Sequence, residues 1–201
     1  MEVNFIITVY DKEEFLPATK DFIKKFTKIQ PKIFVVYCGP NKVEANLKLP
    51  DPGEPAREIF MTLWGYKKLS EDSVVPRYVK MTGNTWLMDE DVIINIFNEM
   101  ENRKAAFGGN HWHFNLEGSL SADIFFADTR FGNVFKAIDA KPKDFEVVLF
   151  DTLRKIKSTP YIIEGRDPVY YNNLHECKTL KWAMHSNIGK NFECFQEWVK
   201  K

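Results

Sequence analysis

The chain has 201 residues, enough for one domain with a substantial buried core. Lysine plus arginine and aspartate plus glutamate each number 28, so the net charge is zero and no strong steering of a nucleic acid is implied. Three cysteines without metal-type spacing point to a reduced, cytoplasmic setting, and no apolar run reaches transmembrane length. The opening residues, strand-like by Val3, carry no signal-peptide pattern.

Val3 to Tyr10 is a continuous apolar, β-branched run, which predicts a strand buried on both faces. Asp11 to Glu14 breaks it with carboxylates suited to a helix N-terminus. Phe15, Leu16, Thr19, Phe22, Ile23 and Phe26 then recur at helical spacing, with Pro17 tolerated in the first turn. Lys32 to Tyr37 predicts a second buried strand, ended by Cys38-Gly39-Pro40, and this β-α-β unit implies a parallel pair with a right-handed crossover. Asn41 to Glu54 reads as a loop, and Pro55 opens a helix carrying Ile59, Leu63, Tyr66 and Leu69.

Tyr78 to Met81 is the third predicted strand, followed by the polar turn Thr82-Gly83-Asn84 and a helix over Asp91–Met100. Lys104–Phe107 and Ala122–Ala127 read as strands, with a glycine-paired loop starting at Gly108 between them. Helices are expected over Phe131–Ile138, Phe145–Ile156 and roughly Lys190–Lys200, after a polar segment from Ser158 to Lys178. The alternation predicts an α/β, Rossmann-like three-layer sandwich, with a mostly parallel central sheet and helices on both faces, spanning 1–201 as a single domain.

Open α/β sheets hold ligands at the carboxyl ends of their strands. At the first strand end, Thr8 and Val9 offer backbone to a nucleobase, Tyr10 a stacking ring and Asp11 an acceptor; Tyr10 as core and Asp11 as a helix cap is the alternative. At the second, Gly39 allows close ligand approach or simply makes a turn.

Four segments together resemble the GT-A fold, family-2-like glycosyltransferases: Phe5 to Pro17, Tyr78 to Leu87, and the later stretches Ser119 to Thr129 and Cys177 to Asn187. The last two are similar to viral (chlorella-virus type) and capsule-associated members. The resemblance implies a nucleotide-sugar donor, a UDP-sugar first, a glycan acceptor, and Mn or Mg held on a D-x-D turn. Here Thr82-Gly83-Asn84 stands where that motif would lie, and both carboxylates are gone. Neutral oxygens are poor ligands for a hard cation but can hydrogen-bond a phosphate together with turn N–H groups. Three outcomes follow: metal-independent transfer with Arg77, Lys80, Arg130 or Arg166 taking the charge; other metal ligands, such as the acidic cluster Asp89, Glu90 and Asp91; or nucleotide binding without catalysis. The ordinary expectation for the four cations is a solvated surface, and for the acidic cluster a charged helix start.

On the acceptor side the candidates are Trp112, as a platform for a sugar ring, with His113 and Glu117. His111 and His113 with Glu117 or His185 would make a metal site, and the resemblance also implies His185 near the diphosphate. Inversion at the sugar needs a carboxylate base, for which Asp123 and Asp128 are the candidates, although Asp128 is equally a helix cap; retention would need none.

Overall fold

The computed structural model describes residues 1–10, 13–54, 56–71, 74–83, 85–87, 90–111, 120–138, 145–163, 177–179 and 183–186. The first apolar run forms β1 (Glu2–Val9), buried from Val3 onward. It pairs in parallel with β2 (Gln30–Tyr37) on one side and β4 (Arg77–Thr82) on the other. The two-residue strand β3 (Leu47–Lys48) lines the far edge of β2. Antiparallel to β4 runs β7 (Leu120–Asp128), followed by β6 (Phe107–His111) and β8 (Tyr161–Ile162). The seven-stranded order is β3-β2-β1-β4-β7-β6-β8, and only β7 opposes the rest.

Period-two alternation divides the core into two layers. Phe5, Ile7 and Val9 pack with α1 (Leu16–Lys24) and α3 (Glu90–Asn102), while Ile6 faces α2 (Arg57–Leu69), α4 (Thr129–Lys136) and α5 (Phe145–Lys155). The second layer absorbs many of the phenylalanines: Phe107 lies 5.1 Å from Phe125, and Phe135 6.0 Å from Phe145, ring centre to ring centre. In α4, Gly132 lets the helix approach α2 so closely that a Cβ there would fall 2.1 Å from the Tyr66 hydroxyl.

Several expectations change. Gly108 and Gly109 belong to β6 rather than to a loop, because strand geometry with no Cβ lets them lie against Met100 and the Phe107 ring. A short strand β5 (Thr85–Leu87) separates the polar turn from α3. It pairs with β10 (Ala183–Ser186), which pairs with β9 (Cys177–Thr179), so a strand begins within the last two residues of the polar segment Ser158 to Lys178. The final predicted helix lies outside the described residues. Among those described, no helix is long and apolar enough to cross a membrane.

The helix-start carboxylates Glu90 and Asp91 do not reach the strand carboxyl ends. Glu90 accepts hydrogen bonds from the backbone of Thr27 (2.8 Å), Lys28 (2.7 Å) and Ile29 (3.3 Å), immediately before β2 begins, and Asp91 pairs with Lys28. Burial acts to raise the Glu90 pKa, but these bonds and the Thr27 hydroxyl outweigh it and hold it below the ordinary glutamate value of 4.5. A folded-state value below the unfolded one stabilises above the unfolded pKa and is lost as pH falls through the folded one. Glu90→Gln is therefore expected to lower stability at neutral pH and to flatten its decline in acid, as read by urea unfolding between about pH 3 and 7.

Candidate functional site

The carboxyl ends of β1, β2 and β4 open onto one edge of the sheet, where the antiparallel β7 begins and the first turn of α2 arrives. Thr8, one residue before the end of β1, is 1% exposed and donates its hydroxyl to Glu58 Oε1 at 3.0 Å. Lys80 points to the same face of the sheet and is 0% exposed. Its ammonium forms an ion pair with the same Glu58 oxygen, donates to the Ala122 carbonyl and lies 5.7 Å from the centre of the Phe145 ring. The solvated position expected of Lys80 is thus replaced by a buried charge bridging β4, α2 and β7. Glu58 is less enclosed, with 19% of its side chain exposed.

The turn after β4 is built into this edge. Gly83 N–H continues the β1–β4 ladder by donating to the Thr8 carbonyl at 2.9 Å, and the Gly83 carbonyl accepts from Thr19 Oγ1 at 2.9 Å. A Cβ at Gly83 would lie 2.9 Å from Val9 Cγ2. The N–H expected to serve a phosphate is therefore committed to the sheet. Thr82 is 7% exposed, and its hydroxyl lies 2.6 Å from that of Thr85. In β10, His185 is in register with Thr85, which brings the backbone of this late segment beside the turn. A buried, neutral, hydrogen-bonded hydroxyl does not fit a hard divalent cation. Among the described residues no three His, Cys, Asp or Glu side chains group as metal ligands.

At the β1 and β2 ends, Arg57 sits over the Tyr10 ring at 4.8 Å and is itself held by Asp51 (2.8 and 2.9 Å) and Glu54 (2.7 Å). The Arg57 hydrogen bond holds the Asp51 carboxyl below its ordinary pKa, and burial pushes the neighbouring Cys38 thiol up. Val9 is core, and its carbonyl accepts from Cys38 N–H at 3.0 Å, so the β1 backbone expected to meet a base is paired on both sides there. A Cβ at Gly39 would stand 2.6 Å from the Tyr37 hydroxyl and 3.0 Å from the Tyr10 carbonyl, a close approach that only glycine permits. That Tyr37 hydroxyl donates to Glu13 at 2.9 Å and accepts from Asn41 N–H at 2.8 Å. Burial acts to raise the Glu13 pKa, yet its hydrogen bonds from backbone, Asn41 and Tyr37 hold it below the usual value.

Asp123 follows the Met81–Ile124 pair toward the start of β7, so it stands at the carboxyl edge beside Thr82. Asp128 does not. It is in register with Arg77, five residues down β4 and so about 16 Å from Thr82 at the usual strand rise. There it caps α4 by accepting from Arg130 N–H at 2.8 Å and pairs with the Arg130 guanidinium. Arg77 and Arg130 therefore line the opposite edge of the sheet. Asp11, Asn84, Asp89, Trp112, His113, Glu117 and Arg166 lie outside the described residues. Glu58, Arg57 and Asp51 were missed in the sequence. Their only signal there is charge around the start of an amphipathic helix, which reads as capping.

The strand order of the seven-stranded sheet, its one antiparallel strand among the described residues and the convergence of ends define a GT-A-type, Rossmann-like α/β fold. No protein-family model matches the chain, and no curated protein is significantly similar in sequence. Solved structures are similar in fold. A 4-diphosphocytidyl-2C-methyl-D-erythritol synthase from Anaerococcus prevotii superposes with a TM-score of 0.56 at 12% identity, covering 99% of this chain and 98% of its own. A glycosyltransferase involved in glycosylation of the major capsid of PBCV-1 gives 0.53 at 10%, covering 81% and 82%. A mannosyltransferase from Pyrobaculum calidifontis, in complex with GDP-Man and Mn2+, gives 0.55 at 9%, covering 80% of this chain and 54% of its own.

Proposed function

We propose that the protein is a glycosyltransferase that takes a sugar from a nucleotide-sugar donor, a UDP-sugar first, to a glycan acceptor. The observation that carries this reading over nucleotidyl transfer is the β1–α1 connection. A nucleoside triphosphate needs N–H groups and cations there, whereas this chain turns Glu13 inward, low in pKa, onto Tyr37 and Asn41. Carboxylates in that corner suit the N–H and hydroxyl donors of a nucleoside and repel a phosphate chain.

On this reading Tyr10, backed by Arg57, stacks on the base, and Asp11 and Gly39 border the nucleoside. Thr82, Gly83 and Asn84 form the floor, with His185 toward the leaving diphosphate. Asp123 acts as the general base that takes the proton of the acceptor hydroxyl as its oxygen bonds to the anomeric carbon and the bond from that carbon to the diphosphate oxygen breaks, releasing the nucleoside diphosphate. Trp112, His113 and Glu117 meet the acceptor. No step is routed through a metal, because the donor set at the turn does not fit one.

The neutral turn also favours a second reading, a nucleotide- or glycan-binding module without catalysis. Calorimetric titration with UDP, UDP-sugars and GDP-mannose, with and without Mn, separates the two. Metal-independent binding with sugar turnover is expected. Binding without transfer to any acceptor favours the module, and absence of nucleotide binding overturns both.

A further inference from the structure

We infer that Glu58 is a donor-binding residue whose second carboxylate oxygen accepts hydrogen bonds from the sugar hydroxyls, and that Lys80 is the positioning residue that holds it; this rests on the nucleotide-sugar reading above.

Three observations converge. Glu58 Oε1 is fixed from two sides, by the Thr8 hydroxyl and the Lys80 ammonium. Oε2 has no hydrogen-bond partner among the described residues, and the side chain keeps 19% of its surface exposed while both of its anchors are buried. The location is also specific. Glu58 sits between Tyr10, which Arg57 of the same helical turn covers, and the start of β7, which Lys80 reaches through the Ala122 carbonyl one residue before Asp123. A donor with its base on Tyr10 and its anomeric carbon near Asp123 lays its sugar across that interval.

The chemistry selects hydroxyls. An anchored carboxylate offers lone pairs and no donor, so it suits vicinal hydroxyls and rejects phosphate oxygens. Lys80 balances its charge, which keeps the pair nearly neutral beside a diphosphate. Stability alone does not explain the pair. A buried ion pair is usually no better than apolar side chains of the same volume, and Lys80 lies in a strand whose neighbours Tyr78, Val79 and Met81 are all core.

The test compares UDP with UDP-glucose, UDP-galactose and GDP-mannose by calorimetry, using wild type, Glu58→Gln and the double variant Glu58→Gln/Lys80→Met. Glutamine keeps an oxygen for Lys80 and turns the free acceptor into an N–H donor. The double variant removes both charges, so a folded protein remains if the single variant fails, with melting curves as the control. The expected result is UDP affinity within about twofold of wild type and roughly tenfold or greater loss of affinity for the sugar-bearing donor in both variants. Wild-type affinity for the nucleotide sugar in either folded variant overturns the inference and leaves the proposed function standing. A wild type that binds no nucleotide overturns both.

Discussion

Truncating Glu58 to alanine is expected to cost about 3–5 kcal/mol of unfolding free energy, because it leaves the Lys80 ammonium buried without its counter-charge. Lys80 is wholly enclosed and would retain only the Ala122 carbonyl and the Phe145 ring. Lys80→Met is expected to cost less. Methionine follows the lysine stem through the same apolar layer, and the abandoned Glu58, partly exposed and still bonded to Thr8, can be hydrated. The double variant Glu58→Ala/Lys80→Met should then be more stable than Glu58→Ala alone, a reversal that only coupled charges produce. Urea unfolding of the three proteins measures this directly. Simple additivity in the double would show that the pair is not the coupled unit described.

Gly132→Ala is expected to be destabilising by about 1–3 kcal/mol, although glycine to alanine inside a helix ordinarily gains about 0.5–1 kcal/mol. The sign reverses because the new methyl would stand 2.1 Å from the Tyr66 hydroxyl, 2.3 Å from its Cζ and 2.7 Å from its Cε2. Tyr66 is buried and its ring lies 5.0 Å from that of Tyr78, so it has little room to yield. Removing the hydroxyl with Tyr66→Phe would not cure the clash, since Cζ remains. Thermal unfolding of Gly132→Ala, alone and with Tyr66→Ala, should show that the alanine is costly only while the ring is present.

The elements that carry the sheet were legible because their burial is written in the local pattern. Val3 to Val9 is apolar but for Asn4 and Thr8 and is buried throughout. The helix over 57–69 shows Ile59, Leu63 and Tyr66 at helical spacing and buries all three. What the pattern could not show is where charged side chains turn. Lys80 looks solvated by residue type, and only the arrival of α2, which brings Glu58 from 22 positions away, makes its burial affordable. Glu90 looked equally free as a ligand until the Thr27–Ile29 backbone filled its oxygens. Asp128 illustrates a different limit. Its strand was predicted, but an antiparallel direction for β7 was not, and direction alone decides that Asp123 meets the carboxyl edge while Asp128 meets the other. The strands β5 and β10 hold each other through pairing across about a hundred residues, a contact with no local signature.

Strand β4 also has a history during synthesis. Its partner β1 precedes it, but its other edge must wait for β7, whose Phe125 meets Lys80 from 45 positions downstream. In that interval Tyr78, Val79 and Met81 offer an apolar, hydrogen-bond-ready border to any other nascent strand. Glu58 of α2 precedes β4 in the chain and can already meet the Lys80 ammonium, so what this border still awaits is β7, which brings the Ala122 carbonyl and Phe125.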